Sequence, residues 1–226
     1  MSEKVNGSGA EQGGVLVWDL PTRLFHWALV AAIVTSLLSE EFGKMDIHVI
    51  SGHVVLALVL FRICWGFVGG RHARFADFVK GPAAVKAYAK GLLSGNPDHY
   101  RGHNPMGALS VIAILAVVAL QATTGLFASD DILTEGPLAK LVSGSTSGLM
   151  TEIHEIGSTL LYILIGLHLA AIAFYTFKGE KLIMAMVGGR KEGIVDDATA
   201  GVRGNLIVAI VLIAIAGAVA YYIFSY

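Results

Sequence analysis

The stretch HEIGSTLLYILIGLHLAAIAFY, residues 154–175, decides the fold. It is an apolar run of membrane-spanning length, opened by His154 and carrying His168 fourteen residues later. At about 1.5 Å of rise and about 100° per residue, the two imidazoles sit about 21 Å apart along a helix and on nearly the same face. One helix therefore offers two side chains at two depths. A histidine midway along a lipid-compatible helix is costly unless it faces the protein interior and meets a partner. A metal is the partner an imidazole suits best.

The rest of the chain agrees with a membrane setting. Of 226 residues, 55% are hydrophobic and only 15% charged, well below the quarter that is charged in a soluble domain. A formal net charge of -1 gives no bulk electrostatic attraction and argues against nucleic acid. The single cysteine, Cys64, lies in an apolar segment. That excludes an internal disulfide, a four-thiolate cluster and a C-x-x-C-H haem attachment, so any cofactor is held without covalent bonds to cysteine.

Residues 1–14 are polar and glycine-rich and read as a mobile tail. Apolar segments follow near 21–38, 48–68, 105–127, 154–177 and 205–226, the first of them near the lower limit for a span. They predict an all-α integral membrane protein: a four-helix transmembrane bundle over 15–190, a linker over 191–204 and an extra C-terminal transmembrane helix over 205–226. The connections after the second and fourth spans are basic, with Arg71, Arg74, Lys80, Lys86, Lys90 and Arg101 in one and Lys178, Lys181, Arg190, Lys191 and Arg203 in the other. Those after the first and third are acidic, with Glu40, Glu41, Asp46, Asp130, Asp131 and Glu135. Basic loops stay in the cytoplasm, which puts the N-terminus inside and the C-terminus outside.

With that orientation the histidines fall at two levels. His48 and His154 lie at the outer ends of spans two and four; His26 and His168 lie toward the cytoplasm on spans one and four. A b-type haem in a helix bundle needs two neutral imidazoles from facing helices at one depth, with an apolar slot between them. His48 and His154 match well in depth; His26 and His168 match only roughly, since His26 lies five residues after Pro21 and His168 ten before Lys178. His53 rivals His48, but five residues turn a helix by about 500°, so the two point about 140° apart, and His48 shares the depth of His154. Arg62 follows His48 by fourteen residues on the same face, where its guanidinium either pairs with a haem propionate or quinone oxygen or snorkels to the headgroups. Arg23, one turn before His26, has the same two readings. Gly52, Gly157 and Gly166 beside these histidines leave room for a flat macrocycle or a close helix. His72 and His99 read as solvated loop residues, and Phe25, Trp27, Trp65 and Phe67 as interfacial anchors. His154-Glu155 does not continue to H-E-x-x-H, because residue 158 is serine, and no phosphate-binding loop is present.

The segments VWDLPTRLFHW (17–27), IHVISGHVVLALVLFRICWGFVG (47–69), GHNPMGALSV (102–111), QATTGLF (121–127) and IHEIGSTLLYILIGLHLAAIAFY (153–175) together resemble the bacterial cytochrome b561 and nickel-iron hydrogenase cytochrome b family. The resemblance covers about 15–190. It implies a four-helix bundle in the bacterial inner membrane holding two non-covalent b haems, with His26, His48, His154 and His168 as axial ligands. It also implies electron transfer between the quinone pool and a partner at the outer face: a hydrogenase, a c-type cytochrome, another redox subunit, or superoxide in one branch. His103 and Asn104 of the GHNP turn are then candidates for a quinone or propionate contact, with helix capping by Asn104 as the plainer role. The fifth span departs from the four-helix core. Its Ala214, Gly217 and Ala218 form a small-residue surface suited to another helix of this chain, of a partner or of a second copy. The acidic segment 129–151 would suit a positively charged outer partner. Alone, such a chain is an oxidoreductase; beside a catalytic subunit it is that enzyme's membrane wire. The competing class is a haem-free transporter or channel whose histidines carry protons or a transition metal.

Overall fold

The computed structural model describes residues 15–95, 100, 102–130, 134–191 and 203–225. The tail over 1–14, His99, Arg101, Asp131 and most of the linker lie outside the described residues. In chain order the elements are β1 (Val15–Leu16), α1 (Leu20–Glu41), α2 (Met45–Val68), a 3-10 turn (Arg71–Ala73), α3 (Phe75–Phe78), α4 (Pro82–Leu93), α5 (Pro105–Gly125), a second 3-10 turn (Ala139–Leu141), α6 (Gly144–Phe177), α7 (Leu182–Gly188), β2 (Arg190–Lys191) and α8 (Leu206–Phe224). Helices α1, α2, α5, α6 and α8 are long and apolar enough to cross a membrane, as the hydropathy pattern predicts.

The helix starts are written locally. Asp19 accepts from the Thr22 amide at 3.0 Å, with Pro21 in the first turn; Asn104 accepts from Gly107 at 2.7 Å, ahead of Pro105; Asn205 accepts from Ile207 at 2.9 Å. Each side-chain oxygen satisfies an amide that has no partner within its helix. Ser143 does the same for Thr146 at 3.2 Å, and this cap starts α6 ten residues before the hydropathy boundary at His154. Between α1 and α2 the chain reverses through Gly43, whose φ of 63° suits glycine.

Helix α2 is the centre of the bundle, packing against α1, α5 and α8. Helix α6 packs along α5 and makes no comparable contact with α1 or α2 among the described residues. The bundle is thus left open between α6 and the α1–α2 pair, including the diagonal from α6 to α2. Helix α8 lies on α2 through Ala209, Ala216 and Ala220, all buried, whose small side chains let the backbones approach. Ala214 and Ala218, expected to form a docking surface, face outward.

One end of the bundle is basic and roofed; the other is acidic. At the basic end β1 pairs antiparallel with β2, Val15 opposite Lys191. Asp19 joins three elements there: besides capping α1, its Oδ2 accepts from the amides of Gly70 and Gly204, each at 3.2 Å. This roof corrects the reading of two aromatic residues. Trp65 is fully buried, donating Nε1–H to Thr22 Oγ1 at 3.3 Å, and Gly204 lies so close to its indole that a Cβ would overlap it. Phe25 is also in the core. Trp27 and Phe67 remain exposed, as expected of interfacial anchors. His72 is likewise pinned and not solvated: its Nδ1 lies 3.0 Å from Asp77 Oδ2 and its side chain is 12% exposed.

Candidate haem site

At the acidic end, across the open diagonal, the rings of His48 and His154 face each other edge to face with centroids 6.1 Å apart. Each ring is oriented through Nδ1. In His48, Nδ1 lies 3.0 Å from the Ser36 carbonyl oxygen, an acceptor only, so Nδ1 carries the proton. In His154, Nδ1 lies 3.1 Å from Thr124 Oγ1, whose own proton goes to the Leu120 carbonyl at 2.8 Å; Nδ1 again donates. In both rings Nδ1 donates, which leaves Nε2 as the nitrogen available to a metal, the arrangement in which a ligating imidazole has its other nitrogen held by a second group.

A cavity of about 400 Å³ lies between these helices, lined by Ile33, Gly52, Val118, Leu161 and the two histidines among others. This is within the ~300–1,000 Å³ of small-molecule and cofactor sites. Gly52 has open space at its Cβ position, and Gly125 lies against the His154 ring. His53 also lines the cavity, but its Nδ1 donates to Val49 O at 2.7 Å and its ring packs on Phe224 of α8 with centroids 4.9 Å apart. Its Nε2 is buried without a hydrogen-bond partner.

At the second level, His26 Nδ1 is buried without a hydrogen-bond partner, and His168 is partly buried on α6. Gly166 beside His168 has open space at its Cβ position. Arg62 does not snorkel. It is 4% exposed, with its guanidinium carbon 5.0 Å from the Phe75 ring and 6.0 Å from Phe25, and its Nη1 has no partner. Arg23 donates through Nη1 to the Val187 carbonyl at the end of α7, while its Nε is buried and unpartnered.

Next to Arg62 the GHNP turn places His103 between Trp18 and Phe78, with ring centroids at 4.5 and 4.9 Å. Burial, reinforced by Arg62 and His72, pushes the His103 imidazole down to about 3, so it is neutral, and its Nδ1 has no partner. Asn104 both caps α5 and donates Nδ2–H to Tyr175 Oη at 3.1 Å, which in turn shares a 2.8 Å hydrogen bond with Tyr88.

The residues suit haem. It supplies four in-plane donors and asks the protein for two imidazoles, an apolar slot and a cation for its carboxylates. The His48–His154 pair, its cavity, and the buried unpartnered nitrogens of His26 and Arg62 answer those needs. Sequence reasoning singled out the imidazoles but not Ser36, Thr124 and Gly125, which contact His48 and His154. Only the QATTGLF segment held a signal for two of these, and helical periodicity says nothing about contacts 30 residues apart.

A five-span helical protein with paired imidazoles facing across its bundle has the arrangement expected of a membrane cytochrome of the b type. The chain belongs to the prokaryotic cytochrome b561 family, whose model matches residues 17–189. It is similar to the probable Ni/Fe-hydrogenase B-type cytochrome subunit of Azotobacter chroococcum mcd 1, 28% identical over 223 residues covering 81% of this chain and 92% of that protein. The protein of the same description from Rhodobacter capsulatus is 23% identical, covering 78% and 81%. The probable Ni/Fe-hydrogenase 1 B-type cytochrome subunit of Escherichia coli (strain K12) is 25% identical over 137 residues, covering 48% and 57%. No solved structure matches the chain. The protein is a multi-pass membrane cytochrome that carries b-type haem and transfers electrons across the membrane.

Proposed function

We propose that the protein carries electrons across the bacterial inner membrane through two b haems, one held by His48 and His154 and the other by His26 and His168, between the quinone pool and a redox partner at the outer face. The observation that carries this reading is the open diagonal between α6 and α2, with two Nδ1-anchored imidazoles turning free Nε2 atoms toward it. Among the described residues no three histidine, cysteine or carboxylate side chains converge as a bare metal ion would need, whereas haem needs only two.

When bound, haem supplies reversible one-electron chemistry at each level. The chain does the rest. Ser36 and Thr124 fix which nitrogen each ligand offers, and Ile33, Val55, Val118 and Leu161 give the outer level apolar walls. Buried Arg62, with Arg23 as a second cation, offers a guanidinium to a propionate or a quinone oxygen. Neutral His103 and Asn104, backed by the Tyr88–Tyr175 hydroxyl pair, offer hydrogen bonds to a quinone headgroup entering at the basic end. By the charge of its loops that end is cytoplasmic and the acidic end outer. The relatives' description as hydrogenase subunits favours a hydrogenase as the outer partner, with a c-type cytochrome or another redox subunit as the other choices. The outward face of α8 is the surface for a second copy.

The test is spectroscopic. The purified protein is expected to hold two haems per chain with sharp reduced bands. His168→Ala should remove the inner haem and spare the outer, and His154→Ala should do the reverse. Equal retention in both variants would overturn the pairing, and a colourless preparation would overturn the haem reading in favour of a transporter.

A further inference from the structure

Gln121 of α5 lines the cavity between His48 and His154, yet nothing in the ligand-holding arrangement uses its side chain. Its Oε1 is buried with no hydrogen-bond partner. The same atom lies against the α-carbon of Gly157 so closely that a Cβ there would overlap it. With Oε1 turned onto Gly157, the amide N–H2 is the end left toward the cavity. Gln121 precedes Thr124, and Gly157 follows His154, by three residues each. Because α5 and α6 run in opposite directions, both are displaced about one turn toward the basic end. The carboxamide therefore stands at the margin of the His48–His154 site that faces the His168 level. An amide left unpaired in hydrocarbon is costly, and leucine would fill the same space without a polar atom. A bare packing role does not explain its presence.

We propose that Gln121 is a positioning residue for electron transfer: its amide N–H2 faces the rim of the cofactor held by His48 and His154, on the side toward His168, and raises that level's potential. The positive end of the amide dipole favours the electron-rich form of whatever lies against it, and a low local dielectric strengthens the effect. Gly157 sets the distance, since only a residue without a Cβ leaves the carboxamide in place. The inference rests on the haem reading of the His48–His154 pair.

The test is a potentiometric titration of the purified haem-loaded protein, following each reduced band. Gln121→Leu is expected to shift the outer midpoint to lower potential while the inner midpoint and the haem content stay as they were. Gly157→Ala, which drives the flexible end of Gln121 out of position, is expected to shift the same midpoint, and to be silent when combined with Gln121→Ala. Unchanged midpoints in Gln121→Leu, or a Gly157→Ala shift that persists without the Gln121 side chain, would overturn the proposal. If Gln121→Leu loses haem, the Gly157→Ala pair of measurements decides. His48→Ala and His154→Ala separate the two levels of failure. If they keep the outer haem, the underlying reading is wrong; if they lose it while the Gln121 and Gly157 variants behave like the parent, only this inference falls.

Discussion

A β-carbon on Gly125 would stand 3.0 Å from Cε1 of His154, so the α5 backbone and the imidazole meet a few tenths of an ångström too closely for a methyl group to enter without moving the ring. The contact aligns the ring with Thr124, the neighbouring residue that accepts from its Nδ1. Gly125→Ala is expected to push the ring by a few tenths of an ångström and lower outer-haem affinity by about 10-fold, the smaller loss typical when a ligand's outer partner is disturbed. Thr124→Val removes the acceptor and should act in the same direction. The haem-to-protein ratio after dilution reads both, and full retention in both variants would show that the ring needs neither neighbour.

Asp19 holds the basic end together by accepting from Thr22, Gly70 and Gly204. Asn has the same shape but turns an N–H2 toward amides that donate. Hydrogen bonds to a charged group contribute more than neutral ones, so Asp19→Asn is expected to cost on the order of 3 kcal/mol. The visible outcome is a lower unfolding temperature in detergent and faster proteolysis near residues 203 and 204, where α8 begins. An unchanged melting curve would mean that the roof is held by the β1–β2 pair and Trp65.

Arg62 has a free Nη1 and two aromatic rings beneath it. A charge-assisted bond from that nitrogen to a propionate or quinone oxygen is worth about 1.5–3 kcal/mol, roughly 10- to 100-fold in affinity or rate. Arg62→Leu is therefore expected to slow quinone-coupled turnover by that factor and leave the outer reduced band intact. Arg62→Lys should recover only part, since a point charge cannot reproduce the planar fork. Loss of the outer band instead would assign Arg62 to the stability of the whole bundle.

The fourteen-residue spacing of His154 and His168 and the divergent directions of His48 and His53 can be read from sequence because helical geometry fixes angle and rise. The start of α6 cannot: SGSTSGLM has no hydropathy signal, and the Ser143 cap that begins the helix is one polar residue among several. Trp65, Phe25 and Arg62 lie near helix ends, where lipid-facing and buried side chains have the same composition. What buries them is the pairing of Val15 with Lys191 and the approach of Gly204, contacts formed across nearly the whole chain. Local pattern cannot report such closure. The same holds for the partners of the ligands, since Ser36 and Thr124 come from other helices.

His103 gives the protein an acid limit that can be read. Its folded value of about 3 lies below the ordinary 6.5, through burial first and then the neighbouring Arg62 guanidinium. Below pH 6.5 the unfolded chain takes up a proton that the folded chain refuses, so stability is whole above that pH and is lost as pH falls toward 3. The slope approaches about 1.4 kcal/mol per pH unit across that window. His103→Phe keeps a flat ring between Trp18 and Phe78 but cannot titrate. Thermal unfolding followed from pH 7 to 4 is expected to fall less steeply in this variant than in the parent. Parallel curves would mean that His103 is protonated in the folded protein, and that the cation beside Arg62 is balanced by an anion bound at the basic end.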